Sequence, residues 1–600
     1  MQRTLFLMVA LALGTGCHED GTTAAGTAAD AAVDAVLEDG LDAVTATDAT
    51  IPDTSSADIG QLDGTAADGQ IWPWMAPCPL SSTTQEGVVA TSAGWIRGQS
   101  SANGWSFLGI PFAAPPVGDL RWRAPVPPAC WSEIRDAKQF AAACLQKDAK
   151  TGQPEGQEDC LTANVWTPKL TPAAPLPVLV FIHGGGNIQG SAADPLSGSK
   201  FLYAGHYLAA EGAVVVTIQY RLGALGWLSL PALDAAQGSP SGNYGLLDQQ
   251  AALRWVQQNI GGFGGDPNRV LVFGESAGAV DVCSLLASPQ SAGLFSAALM
   301  QSGGCGQPKL SGYQAAMASK VAKSSCGSVS DPLQCLRALS GPEVLSQLPG
   351  VIGVGDVTSV GDPGRYGPVV DGKLLPLSPI EALSAGSALQ VPFVVGSNAE
   401  ELAQLITTKV TTAAELEAII AQTYSILGPS AVQQLQAMYA ASKFASPQEA
   451  LVQLFSDMRF VCPSRSIAQA ARAGRAKSGS QAGVWRYWFS RQSPTKQAPL
   501  PAAHGLELLY VFGTMMDIPL YTPPPIDQGL TDAMRGYWTR LAGFASPNGP
   551  ETNSAIPLYW IQYDSAKDNA IEFGSKFQML EGIHTERCDL WDNLAAAATP

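Results

Sequence analysis

Six hundred residues, 46% of them hydrophobic and 14% charged, supply ample material for a core and exclude a mostly disordered or collagen-like chain. A formal net charge of −17 argues against nucleic-acid binding, which needs clustered Lys and Arg to displace counterions from phosphates. Length alone allows about four domains, and the acidity is unevenly placed: residues 18–70 hold twelve Asp or Glu and no Lys or Arg, leaving the remainder only mildly acidic.

The chain starts with Met1-Gln2-Arg3-Thr4 and a nine-residue apolar run from Leu5 to Leu13. This reads as a signal peptide over 1–17, too short to span a bilayer. The run ends in Gly14-Thr15-Gly16-Cys17, which resembles a bacterial lipoprotein cleavage box, with Gly14 where that pattern has Leu. Cys17 is then the expected lipid site. Residues 18–71 repeat Ala, Asp, Thr and Gly without an aromatic residue, so they bury too little apolar surface to offset ordering and read as an acidic linker. The folded part is expected over 72–600, exported and either secreted or held at a membrane by the lipid alone.

Eleven Cys, five His and no C-x-x-C pair make zinc knuckles and haem attachment poor readings, and neither metal nor organic cofactor is expected. Without Cys17, ten Cys remain, an even number suited to disulfides in an exported chain. Spacing does not fix their connectivity, and Cys283, in an apolar helix pattern, reads equally well as a buried thiol.

Apolar, β-branched runs follow in order: Val178–Ile182, Ala213–Ile218, Val270–Phe273, Ala297–Met300 and Val391–Val395. A helical pattern through Leu247, Ala251 and Trp255 separates the second from the third. Continuously apolar strands alternating with helices predict a largely parallel α/β sheet covered on both faces, with ligands at the carboxyl ends of its strands.

At one such end lies Gly274-Glu275-Ser276-Ala277-Gly278. Small neighbours let a serine sit on a tight strand-to-helix turn with its hydroxyl above the sheet, and the helix start aims the Ala277 N–H at a developing oxyanion. His183-Gly184-Gly185-Gly186, at another strand end, has the composition for further oxyanion donors. A base should follow downstream. His18, His183 and His206 lie upstream, which leaves His504, in Pro501-Ala502-Ala503-His504-Gly505, and His584 near the chain end. His504 is the better choice, and His584 reads as a surface histidine. Glu400 and Glu401 follow Val395-Gly396-Ser397-Asn398-Ala399, and either carboxylate could orient the imidazole.

These motifs resemble the type B carboxylesterase family, the cholinesterase-like branch of the α/β hydrolases. Residues 263–278, ending in the Ser276 turn, are similar to its serine signature, Glu158–Trp166 to a second signature, and Val216–Gly223 to a third shared stretch. The resemblance runs from about residue 85 to 592. It implies one long α/β-hydrolase domain, with Ser276 as nucleophile, Glu401 as acid, His504 as base, and oxyanion donors at Gly185, Gly186 and Ala277. It also implies the bridges Cys144–Cys160, Cys326–Cys335 and Cys462–Cys588; Cys78–Cys130 and Cys283–Cys305 are a guess for the remaining four. Leu402 replaces the usual Gly after the acid, which keeps Glu400 as a rival. Asn187 replaces the usual aromatic after the Gly triplet.

Cholinesterases bind choline through a Trp in the loop of the first bridge by cation–π attraction. Here Leu145–Asp159 carries no aromatic residue and only Leu145 and Ala149 as aliphatic positions, against both a choline site of that kind and an amphipathic lipase lid. The expected activity is hydrolysis of soluble small-molecule esters through an acyl-enzyme. Two alternatives are a catalytically silent binding or adhesion protein with this fold, and a specialised esterase that removes carboxylate side chains from a toxin or drug-like ester. The latter needs Arg or Lys near Ser276.

Overall fold

A computed structural model describes residues 78–79, 85–197, 200–350, 364–493, 500–518, 521–550 and 556–597. The expected signal peptide, Cys17 and the linker over 18–71 lie outside the described residues. Among the described residues eleven strands form one central sheet: β1 (Gln99–Ser101), β2 (Gly104–Pro111), β3 (Thr162–Thr167), β4 (Leu176–Ile182), β5 (Val214–Ile218), β6 (Gly265–Glu275), β7 (Ala297–Gln301), β8 (Phe393–Asn398), β9 (Val484–Phe489), β10 (Asn569–Phe573) and β11 (Phe577–Glu581). Their spatial order is β11-β10-β9-β8-β7-β6-β4-β5-β3-β2-β1. From β10 through to β5 every pair is parallel, and the strands at both margins are antiparallel.

The parallel strands are apolar because helices cover both faces. Leu179 and Phe181 of β4, Leu271 and Phe273 of β6, and Leu299 of β7 join Met534, Trp538 and Leu541 in one core. The last three belong to a helix over Pro525–Phe544. Alternate residues, such as Val178, Val180, Val270 and Val272, face the other way and are also fully buried. On that side lie α1 (Tyr244–Asn259) and α2 (Ala277–Ala287), and the latter packs on β6, β7 and β4. A helical layer over 413–478, comprising α3 (Ala413–Thr423), α4 (Pro429–Met438), α5 (Pro447–Ser456) and α6 (Cys462–Ser478), follows β8. Between α5 and α6 the chain widens into a π-helical turn, Asp457–Val461.

Among the described residues five disulfides tie this frame: Cys78–Cys130, Cys144–Cys160, Cys283–Cys305, Cys326–Cys335 and Cys462–Cys588. Cys283 is thus bridged from α2 to the loop after β7 and is no longer a candidate thiol. Among the described residues no helix is long and apolar enough to cross a membrane.

Candidate active site

The turn between β6 and α2 bends at Ser276, whose φ of 56° and ψ of −120° lie outside the regions that non-glycine residues ordinarily occupy. Close packing holds it there. A Cβ on Gly278 would stand 2.1 Å from the Ile182 carbonyl oxygen, and one on Gly274 would stand 2.5 Å from the Gly278 backbone. The G-x-S-x-G spacing is therefore a clearance requirement: β4, β6 and the first turn of α2 meet with no room for a methyl group.

The chain leaving β4 supplies the facing loop. Gly185 and Gly186 have φ of 104° and 64°, and a Cβ on Gly185 would meet the Gln189 carbonyl at 2.1 Å. The N–H groups of Gly185, Gly186 and Ala277 have no protein acceptor among the described residues. His183 supports this loop from below. It is fully buried, stacks on Tyr220 with ring centres 4.5 Å apart, and has its Nδ1 2.9 Å from the Gly184 carbonyl. Burial lowers its pKa to about 4, so it stays neutral. Gln146 adds a clamp, since its side chain both donates to the Gly190 carbonyl and accepts from the Gly190 N–H.

His504 and Glu401 enter from the loops after β9 and β8. The imidazole Nδ1 lies 2.6 Å from Glu401 Oε2, and the His504 N–H donates to the Glu401 carbonyl at 2.9 Å. Glu401 is fully buried, and its Oε1 accepts the Asn398 N–H at 2.7 Å. Glu400 turns away. Its carboxylate accepts from the Ala502 N–H and the Gln492 amide, which removes it as a partner of His504. Leu402, in the place of a glycine, is fully buried against the helical layer, so its side chain has a packing role that does not disturb Glu401.

His584 is corrected. It is not a free surface histidine: its Nδ1 lies 2.7 Å from Asp457 Oδ1, and its ring packs edge-on against Trp488. Asp457 is fully buried and also accepts from Tyr439 and Gln453, so His584 helps pin the π-helical turn. His206 begins a short helix, His206–Ala209, and does not line the cavity at Ser276.

That cavity, about 540 Å3, is lined by Gly184, Gly185, Gly186, Ser276, Glu401 and His504, and by Phe140, Phe201 and Leu508. Its walls are rich in carboxylates that sequence reasoning did not assign. Glu275, next to the serine, places Oε1 3.2 Å from His504 Nε2 without the alignment of a hydrogen bond. Glu507, three residues beyond His504, is fully buried outside the cavity wall and accepts from the Gln301 and Asn398 side-chain amides at 3.0 and 2.5 Å. The spacing of Glu507 from His504 was a legible signal; the approach of Glu275 to the imidazole was not, because it depends on how the turn folds. Burial alone would lower the His504 pKa, but Glu275, Glu401 and Glu507 override it and hold it up at about 9. Burial pushes Glu275 up in turn, with Glu507 and Glu401 adding to the rise and the charge of His504 opposing it. Farther out, burial raises Asp194 to about 7, with Glu155 adding to the rise.

Phe460, from the π-helical turn, packs its ring 4.6 Å from the His504 ring. No pattern in the sequence marked this turn, although such turns recur at functional sites. Among the described residues no group of three His, Cys, Asp or Glu could hold a metal ion.

This arrangement has known counterparts. Residues 85–591 match the model of the carboxylesterase family. A fumonisin B1 esterase from Sphingopyxis macrogoltabida is 36% identical over 513 residues, covering 83% of this chain and 87% of its own. A para-nitrobenzyl esterase from Bacillus subtilis (strain 168) is 33% identical, covering 78% and 91%. A solved PNB esterase structure superposes with a TM-score of 0.70 at 30% identity, over 84% of this chain and all of that one. The α/β-hydrolase fold and the activity expected from the sequence both stand: the chain belongs to the carboxylesterase family and is a carboxylic ester hydrolase.

Proposed function

We propose that this hydrolase works as a serine esterase in which Ser276 is the nucleophile, His504 the base and Glu401 the residue that orients it. The observation that carries this reading is the Glu401–His504 hydrogen bond of 2.6 Å opening onto the same cavity as the strained Ser276 turn. His504 takes the Ser276 proton through Nε2 as Oγ attacks the ester carbonyl. Negative charge on the carbonyl oxygen falls to the unengaged N–H groups of Gly185, Gly186 and Ala277, with the α2 start behind them. His504 then protonates the departing alcohol, water enters, and the same steps release the acid. Glu401 fixes the imidazole tautomer with Nδ1–H toward itself, leaving Nε2 to face the reaction.

Cavity size and lining support soluble small-molecule esters as substrates. The loop Leu145–Asp159 contributes Gln146, Asp148, Ala149, Lys150 and Glu155 to the wall, a polar rim in place of an aromatic cation site or greasy lid. A catalytically silent binding protein has no need of a vacant donor set beside a strained serine. The sequence features over 1–17 support export, with Cys17 as lipid site. The test is hydrolysis of p-nitrophenyl acetate, butyrate and decanoate by wild type and Ser276→Ala. Loss of turnover in the variant, with both proteins folded, is expected; equal rates would overturn the assignment.

A further inference from the structure

Three residues in a row carry a positive φ in the loop after β4: Gly185 at 104°, Gly186 at 64° and Asn187 at 58°. Asparagine tolerates this region better than most residues, but such a run still needs support from outside itself. Downstream, Gln146 holds Gly190, and the Gly185 carbonyl accepts from the Ile188 and Gln189 N–H groups. At Asn187 the support has two parts. Its carbonyl accepts the Gly223 N–H at 2.7 Å, and its side-chain nitrogen donates to Asp281 Oδ1 at 3.1 Å.

Asp281 lies on α2, five residues after Ser276, and is fully buried. Its other oxygen, Oδ2, accepts from the Gln249 side chain of α1 at 2.6 Å. No cation pairs with it among the described residues. Burial pushes its pKa up to about 7, and the Gln249 and Asn187 donors resist the rise. Burying a carboxylate on neutral amides alone is costly, so the arrangement needs a reason beyond packing.

A second observation supplies one. Asn187 Oδ1 and Gln249 Oε1 are both buried without a donor. The two amides turn their NH2 groups to the same carboxylate and leave their own oxygens unpaired, so the charge of Asp281 dictates how the Asn187 side chain is held. Asn187 stands where the resembling family has an aromatic residue, and a phenyl ring there could not donate to Asp281.

We propose that Asp281 is a positioning residue for ester hydrolysis: through Asn187 it fixes the loop after β4 so that the Gly185 and Gly186 N–H groups meet the reacting oxygen. This deepens the serine-esterase reading and rests on it. Asp281 touches no reacting atom. Its effect is felt in the transition state, where charge on that oxygen is greatest.

The test uses Asn187→Leu, Asp281→Leu, their double variant and Asp281→Asn in the full chain, beside wild type and Ser276→Ala, at about pH 8 so that Asp281 is largely ionised. Folding is checked by Tm. kcat and KM are measured for p-nitrophenyl acetate, and inhibition with hexyl trifluoromethyl ketone and hexyl methyl ketone. Ser276 Oγ adds to the fluorinated carbonyl, its proton passes to His504, and the carbonyl oxygen becomes an alkoxide facing the loop; the methyl ketone binds without that addition. Each Leu variant should lower kcat by about 10- to 100-fold with KM within about threefold, and should weaken the trifluoromethyl ketone by a similar factor while the methyl ketone stays within about threefold. The double variant should fall no more than about threefold below the poorer single one, because both changes break the same link. Asp281→Asn, which keeps an acceptor for Asn187, should recover most of the loss. If Asp281→Leu does not fold, Asn187→Leu and Asp281→Asn make the comparison. The inference is overturned, with the esterase reading intact, if Asn187→Leu leaves kcat and the trifluoromethyl ketone unchanged, if both ketones weaken alike, if the two losses multiply in the double variant, or if Asp281→Asn recovers nothing. If folded wild type hydrolyses the ester no faster than Ser276→Ala, the esterase reading falls and this inference with it.

Discussion

Replacing Glu275 by Gln removes the charge beside His504 Nε2 with almost no change of shape. An imidazole that accepts the Ser276 proton works only when neutral, so kcat/KM rises through its pKa and flattens above it. In the wild type that limb should be displaced upward from 6.5 toward the value of about 9 at which the buried ring is held. Burial works against this rise, and Glu275 is the first of the carboxylates that outweigh it. At 3.2 Å, an effective dielectric of about 20 gives an attraction of roughly 5 kcal/mol as an upper bound. One pKa unit corresponds to about 1.4 kcal/mol, so even a fraction of that attraction moves the limb by one to two units. Glu275→Gln should therefore bring the limb down by about one to two pH units, because burial remains and only Glu401 and Glu507 oppose it. The assay is kcat/KM for p-nitrophenyl acetate between about pH 5 and 10, with the Ser276→Ala rate subtracted. A limb that stays in place would show that His504 does not titrate in the field of Glu275, and the cause assigned to its raised pKa would be wrong. The sign for stability follows too. A histidine whose folded pKa is raised contributes stability that is complete below about 6.5 and lost as pH rises through about 9, and Glu275→Gln should flatten that loss.

Glu401→Gln should lower kcat by about 10³- to 10⁴-fold, because the amide can present the wrong group to His504 Nδ1. Glu400→Gln should stay within about threefold, since the amide oxygen can still accept the Ala502 N–H; steady-state kinetics on one ester separates the two. Gly278→Ala forces a methyl group toward the Ile182 carbonyl 2.1 Å away, and should destabilise by about 3 kcal/mol or more, seen as loss of soluble protein or a lowered Tm. In the chain-entropy account the Cys462–Cys588 bridge, with a sequence separation of 126, stabilises by about 5 kcal/mol. The Cys326–Cys335 bridge, with a separation of 9, stabilises by about 2.6 kcal/mol on the same relation. Paired Cys→Ala variants compared by calorimetry should show the larger Tm fall for the first, and the reverse order would show that native-state strain or residual unfolded structure dominates.

The central strands were legible because burial on both faces demands apolar residues at every position, and Val178–Ile182 and Val270–Phe273 satisfy that demand without ambiguity. The strand-to-helix turn at Ser276 and the loop of the Gly triplet were legible because small residues mark those backbone shapes. What escaped reading depends on partners far along the chain. His584 looked like a surface residue because Asp457, its partner, lies 127 positions away. Glu400 and Glu401 could not be told apart because adjacent residues point in opposite directions, and only the fold says which way His504 lies. The π-helical turn left no mark because one extra residue in a turn changes which side chains face the site without changing the apolar period around it.

The approach of Glu275 to His504 escaped for the same reason. On the proposed mechanism, carboxylates around His504 favour the imidazolium that forms as Ser276 attacks, at the expense of a base that is less often neutral at moderate pH. Cations placed beside it would raise the energy of the same imidazolium.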